Sequence, residues 1–184
     1  MEGSINALKV GRPQTVKRQK LPPFAKFAPL PDNIKIVDIG ANPIDGSLPY
    51  APLRNIGIAQ VIGFEPNPVA LEELRAAKGP KDQFLPYVIG DGEKHTLHVC
   101  KMPGMTSLLK PHAENLALFF GFPEWGEVIH TQQLRTFRLD DIAGIAPLDY
   151  LKIDIQGAEL MVFKNATKCL ATMLLIQTEV YFLE

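Results

Sequence analysis

From Ile34 onward, short apolar runs alternate with helical patterns, and this alternation constrains the fold more than any other feature of the chain. The runs read "IKIVDI", "AQVIGF", "FLPYVI", "LDYLKIDI" and "MLLIQTEV". Continuous apolar runs this short suit strands covered on both faces, as in a parallel sheet. Between the second and third runs, "PNPVALEELRAAKG" predicts a helix that Asn67 can cap, with Pro68 in the first helical position and Gly79 at its end. After Asp154, the residues Leu160, Phe163, Ala166 and Leu170 recur at spacings of three or four and predict a second crossover helix with these side chains on its buried face. The expected fold class is α/β, a mostly parallel sheet with helices on both faces and right-handed crossovers.

Two pieces interrupt the alternation. "HTLHVC" and "TQQLRTFRL" alternate apolar with polar residues and predict antiparallel strands. The stretch between them, Lys101 to His130, is rich in Pro, Gly and aromatic residues, among them Phe119, Phe120, Phe122 and Trp125. A connection this long has local structure of its own in a compact domain. It could serve as a lid that shapes an acceptor pocket, or simply pack onto the sheet.

With 46% hydrophobic and 21% charged residues, the 184-residue chain suits one globular domain with a sizeable core. No apolar run approaches the roughly 18 to 20 residues of a membrane span, and the N-terminus lacks the order of a secretory signal, so the expected location is cytoplasmic and no membrane partner is expected. Cys100 and Cys169 stand in no metal-ligand spacing and are too few for a disulfide framework; both read as packing residues, and no metal is expected. A net charge of −1 supplies no global field to recruit nucleic acid. Positive charge is local: residues 1–33 form a basic, proline-rich leader, whose first 26 residues carry Lys9, Arg12, Lys17, Arg18, Lys20 and Lys26 against Glu2, ahead of a domain over 34–184. A solvated leader is expected in preference to an arm on nucleic acid.

The first strand ends in "DIGANPIDG". In an open parallel sheet, ligands bind beyond the carboxyl ends of the strands, where Gly40 falls. A dinucleotide turn would need a second glycine to admit the pyrophosphate, whereas here Asn42 fills that place and Pro43 removes an amide donor. Glu65, 25 residues past Gly40, ends the second strand and can accept hydrogen bonds from both hydroxyls of a ribose. An adenosine ligand without a diphosphate points to S-adenosylmethionine. Asp38 and Glu65 could each also be an ordinary strand-end carboxylate that caps the following turn.

Taken in order, "DIGAN", "FEPNP", "MTSLL", "TFRLDDI" and "LKIDIQGAE" resemble the FkbM-type family of S-adenosylmethionine-dependent methyltransferases. The resemblance implies a Rossmann-like class I methyltransferase fold and an O-methyltransferase acting on a small-molecule hydroxyl acceptor, such as a sugar or a polyketide-like alcohol. It also implies roles for single residues. Asp38, Gly40 and Asn42 would line the methionine side of the cofactor, Glu65 would bind the ribose, and Asp91 would reach the adenine edge. Asp154 would face the transferable methyl, or cap the following helix. Ser107, in the family-like "TSLL", would contact cofactor or substrate, or begin a helix; Trp125 of the aromatic connection and Glu159 are the other candidates for the acceptor side.

Methyl transfer to a hydroxyl needs a group to take one proton. His130 is the first candidate, ahead of His95, His98 and His112. Ile44 and Gln156 stand where the family has a glycine and a glutamate. After the fifth apolar run only "YFLE" remains, so the last helix and two C-terminal strands of the fold are expected to be missing, as in a fragment or a short form. The fifth strand would then be an exposed edge for a partner such as a second copy of the chain. These departures leave two other readings open: a catalytically inactive cofactor-binding or interaction module, and a nucleic-acid methyltransferase guided by the leader.

Overall fold

The structure, a computed structural model, describes residues 31–42 and 48–180. Residues 1–30 of the leader, together with Pro43 and Ile44, lie outside the described residues. Five parallel strands form the main sheet in the order β3-β2-β1-β6-β7: β1 (Ile34–Ile39), β2 (Ala59–Phe64), β3 (Gln83–Leu85), β6 (Tyr150–Ile153) and β7 (Leu175–Thr178). The chain runs outward from β1 to β3 and then resumes on the other side of β1. This places a topological switch point between β1 and β6, where open α/β sheets bind their ligands. The fold is Rossmann-like α/β.

Helices cover both faces, as continuous apolar strands require. On one face α1 (Ala51–Asn55) and α2 (Pro68–Ala76) enclose Ile36, Val61, Leu71, Leu74 and Phe84. On the other, α5 (Glu159–Lys164) and α6 (Thr167–Leu170) cover Val37, Ile39, Phe64, Leu151 and Ile153. Alternation along β1 thus sends Ile36 and Val37 to opposite cores. Asn67 caps α2, its side-chain oxygen accepting from the Val69 and Ala70 amides at 2.9 and 3.3 Å, with Pro68 in the first turn. The end of α2 differs from expectation. The helix stops at Ala76, and Gly79 instead donates its amide to the Asp82 carboxylate at 2.7 Å, where Arg54 also pairs at 2.7 Å.

Two further elements depart from the sequence reading. The strand expected in "FLPYVI" is cut to Gln83–Leu85, because Pro86 has no amide to donate; Ile89 makes only an isolated bridge to Phe137. The single helix expected after Asp154 is two. Its break has a cause far away in sequence: the Asp140 carboxylate accepts from the amides of Lys168 and Cys169, both at 2.9 Å, and so caps a new helix start that Ala166 could not cap. Leu160 faces outward, 60% exposed, while Glu159, Val162, Ala166 and Cys169 are buried and Phe163 and Leu170 pack against the core.

The alternating segments form an antiparallel ribbon of β4 (Lys94–Cys100) and β5 (Val128–Arg135). The connection between them has local structure: a 3-10 turn at Pro103–Met105, then α3 (Ala113–Leu116) and α4 (Phe122–Trp125). Phe119, Phe122 and Trp125 pack ring on ring with centroids 5.1 and 5.4 Å apart. Among the described residues, no helix is long and apolar enough to cross a membrane.

Candidate functional site at the switch point

At the carboxyl ends of β1 and β6 the backbones nearly touch. Gly40 has φ +77, and a Cβ placed on it would lie 2.0 Å from the Asp154 carbonyl oxygen. Only glycine permits both the left-handed conformation and this approach. Ile39 O accepts from the Asp154 amide at 3.0 Å, while Phe64 O accepts from the Gly40 and Ala41 amides at 3.0 and 3.1 Å. The strand ends of β1, β2 and β6 are thereby locked together. Asn42 follows, half-buried, and its side chain makes no hydrogen bond with the described residues.

Behind this turn lies a buried charge cluster. Asp38 is 0% exposed and spends both oxygens on protein partners: Oδ2 accepts from the Tyr50 hydroxyl at 2.5 Å and Oδ1 pairs with Lys152 Nζ at 3.0 Å. Lys152 stands beside Asp38 in the parallel register of β1 and β6. Burial, and then the neighbouring Asp38 charge, push the Tyr50 hydroxyl far above its ordinary value, so Tyr50 is a donor at any working pH.

Glu65 is different. It is 4% exposed at the end of β2, and its Oε1 accepts from the Asn67 amide at 2.7 Å. Its Oε2 accepts no hydrogen bond from the described residues. Burial raises its pKa above the usual glutamate value, against the Asn67 amide and Lys152, which act to lower it. Oε2 is not among the buried polar atoms left without a partner, so it is open to a donor from water or a ligand.

The β6–α5 turn carries the remaining acids. The Gln156 side-chain amide donates to Asp154 Oδ1 at 2.8 Å and to Glu179 Oε2 at 3.3 Å. Glu159 is buried and accepts from the Ile155 amide at 3.0 Å, tying the start of α5 back onto the turn. Ser107, also buried, donates to the Gln156 carbonyl at 2.8 Å, so the long connection reaches this turn.

The remaining candidates belong to the ribbon, its connection and the loop before it. Asp91 Oδ1 accepts from the Glu93 amide at 2.9 Å, faces His95 Nε2 at 2.8 Å and accepts from the Thr136 hydroxyl at 3.1 Å. Burial pushes its pKa up, but these hydrogen bonds outweigh it and hold the carboxyl below its ordinary value. His130 is exposed on β5 opposite Val99, and Trp125 is part-exposed at the end of α4. A hollow of about 200 Å³ between α3 and α4 is lined by Pro111, Leu116, Pro123 and Val128. Sequence reasoning missed Tyr50 and Lys152, the partners of Asp38. The signal for Lys152 was its even-numbered place beside Tyr150 in a strand of apolar residues. Among the described residues, no group of three or more His, Cys, Asp or Glu side chains is placed to hold a metal ion.

A solved structure, the crystal structure of methyltransferase FkbM from Methylobacillus flagellatus KT at 2.20 Å resolution, is similar with a TM-score of 0.44 and 16% identity, covering 80% of this chain. The chain spans 32% of the length of that structure. No match was found among curated proteins. The family model of the methyltransferase FkbM domain matches residues 38–184, from the buried aspartate of β1 to the last residue. The chain belongs to the FkbM methyltransferase domain family.

Proposed function

We propose that the chain binds S-adenosylmethionine at the switch point and forms part of an enzyme that methylates a hydroxyl oxygen of a small molecule, such as a sugar or a polyketide-like alcohol. The observation that carries the cofactor is Glu65, a buried carboxylate whose second oxygen accepts nothing from the described residues, at the strand end where an adenosine ribose would lie. The residues present fit the group. Ribose hydroxyls would complete the hydrogen bonding of Glu65, and Asn42 offers a side-chain amide next to the Gly40 turn. The acids Glu65 and Asp154 suit a ligand with net positive charge.

When bound, S-adenosylmethionine supplies a methyl group activated by a sulfonium. The chain's own task is placement. Gly40 brings the β1 turn against Asp154, and the Asp38–Lys152 pair stiffens the floor beneath both. Asp38 acts through this pairing, since both of its oxygens are engaged. Asp91, already engaged by His95 and Thr136, has Oδ2 to offer an adenine edge. The acceptor-side roles proposed for Ser107, Glu159 and Trp125 divide in the same way: Ser107 and Glu159 hold the β6–α5 turn, while Trp125 presents a part-exposed ring.

Removal of the hydroxyl proton falls to a histidine in this reading. His130, proposed from sequence, is exposed, whereas His95 has a ring held by a carboxylate, the arrangement that orients an imidazole as a base. His130→Gln and His95→Gln, compared by pH–rate profiles, separate the two.

The cofactor reading is tested by equilibrium dialysis with labelled S-adenosylmethionine. Displacement by S-adenosylhomocysteine but not by ATP or NAD supports it. Equal displacement by ATP would show a general nucleotide site and overturn it.

A further inference from the structure

We infer that Gln156 is a positioning residue of this site: its side-chain amide bridges the carboxylates of Asp154 and Glu179 across the ends of β6 and β7, and the backbone is held in an unfavourable conformation to place it there. The inference rests on the reading of the site given above.

Gln156 is the single non-glycine residue with positive φ among the described residues, at φ 60. Glycine adopts that conformation freely and asparagine tolerates it; a glutamine there is disfavoured. Such a residue persists only where its surroundings over-determine it. They do so here. The buried Ser107 hydroxyl donates to the Gln156 carbonyl at 2.8 Å and accepts from the Leu109 amide at 3.0 Å. Ser107 is fixed in turn by a two-bond bridge with His98: the His98 amide donates to Ser107 O at 2.8 Å and the Ser107 amide to His98 O at 3.2 Å. The ribbon and its connection thus clamp the turn from outside the sheet.

The side chain explains why glutamine occupies the strained place. Its amide nitrogen has two hydrogens, and it donates to Asp154 Oδ1 at 2.8 Å and Glu179 Oε2 at 3.3 Å. Asparagine would suit the backbone better but is one methylene shorter. Glutamate would have the reach but no N–H to donate, so it cannot form this bridge. A long side chain ending in an amide donor reaches both acids and holds them in fixed relation.

Three full-length variants test this: Gln156→Asn, Gln156→Gly and Gln156→Glu. Asn and Gly relieve the backbone while removing the bridge. They are expected to melt at or above the parent temperature, to shift the carboxyl carbon resonances of both Asp154 and Glu179 in the ligand-free chain, and to bind S-adenosylhomocysteine about tenfold more weakly, as for loss of a hydrogen bond to a charged group. Gln156→Glu keeps the reach without the donor and is expected, like Asn and Gly, to move both carboxyl resonances. Unmoved carboxyl resonances in Asn and Gly would overturn the bridge. Lower melting temperatures with unchanged affinity would make Gln156 purely structural and overturn the positioning role. If the parent itself does not bind S-adenosylhomocysteine, the cofactor reading fails, and the resonances alone then decide whether the bridge exists.

Discussion

Replacing Gly40 by alanine tests the close approach at the switch point, and Gly57 supplies the control. Both glycines have positive φ, +77 and +82, so alanine at either meets the same left-handed penalty of about 1–2 kcal/mol. At Gly57 nothing lies within 4 Å of the added methyl. At Gly40 the methyl would sit 2.0 Å from the Asp154 carbonyl oxygen and 3.0 Å from its carbon, both backbone atoms in a strand end that is hydrogen-bonded to Ile39. Relief requires the end of β6 to move by an ångström or more, an overpacking strain of about 1–3 kcal/mol on top of the backbone term. Gly40→Ala is therefore expected to lose about 2–5 kcal/mol against about 1–2 for Gly57→Ala. Urea unfolding with both transitions followed at equal m-values measures the difference. Ligand binding adds a second contrast: Gly57→Ala leaves S-adenosylhomocysteine affinity intact and Gly40→Ala lowers it, since Asp154 must shift. Equal destabilisation by the two substitutions would refute the close-approach argument.

Other consequences follow from the charges. Lys152→Met leaves the fully buried Asp38 with Tyr50 as its remaining partner and is expected to cost about 3–5 kcal/mol, partly restored in the Lys152→Met/Asp38→Asn double variant; a double-mutant cycle by denaturation that shows no coupling would contradict this. Because burial raises the Glu65 pKa, the folded chain holds that proton more tightly than the unfolded one. Its contribution to stability is therefore complete below the ordinary glutamate pKa and is lost as the pH rises through the raised value. Donors from a ligand favour the ionised form, so binding should tighten with pH across the same window and release a proton. Calorimetry in buffers of different ionisation heat reads that release, and Glu65→Gln should abolish it. Asp140 has the opposite sign. Burial raises its pKa, but the Lys168 and Cys169 amides outweigh this and lower it, so its stabilisation is present above the ordinary aspartate value and lost as the pH falls through the lowered one. Asp140→Ala is expected to cost about 1–2 kcal/mol, as for loss of a helix cap, and to flatten that acid limb.

The parallel sheet was legible because each strand is a short apolar run, and α2 because Asn67 and Pro68 announce its start within three residues of sequence. Asp38 and Glu65 were legible as strand-end acids next to a glycine turn. Their differing states were not, because the partners of Asp38 come from elsewhere: Lys152 lies 114 residues away and Tyr50 in a separate helix cap. The break between α5 and α6 was illegible for the same reason, since local periodicity continues through it and the cap arrives from Asp140. Leu160, assigned to the buried face, lies one residue off it, because the buried face runs through Glu159, Val162, Ala166 and Cys169. Gln156 shows another limit. Nothing in glutamine's local preferences suggests positive φ, and the hydroxyl that sustains it lies 49 residues earlier in the chain.

In the proposed site, Glu65 accepts the hydroxyls of an adenosine ribose at the switch point. Calorimetric titration of the chain and of Glu65→Ala with S-adenosylhomocysteine measures it most directly. Saturable one-to-one binding to the parent is expected, with loss of about 3–6 kcal/mol in the variant, which removes a charged acceptor of two hydrogen bonds worth roughly 1.5–3 kcal/mol each. Equal binding by parent and variant, or no binding by a folded parent, would contradict it.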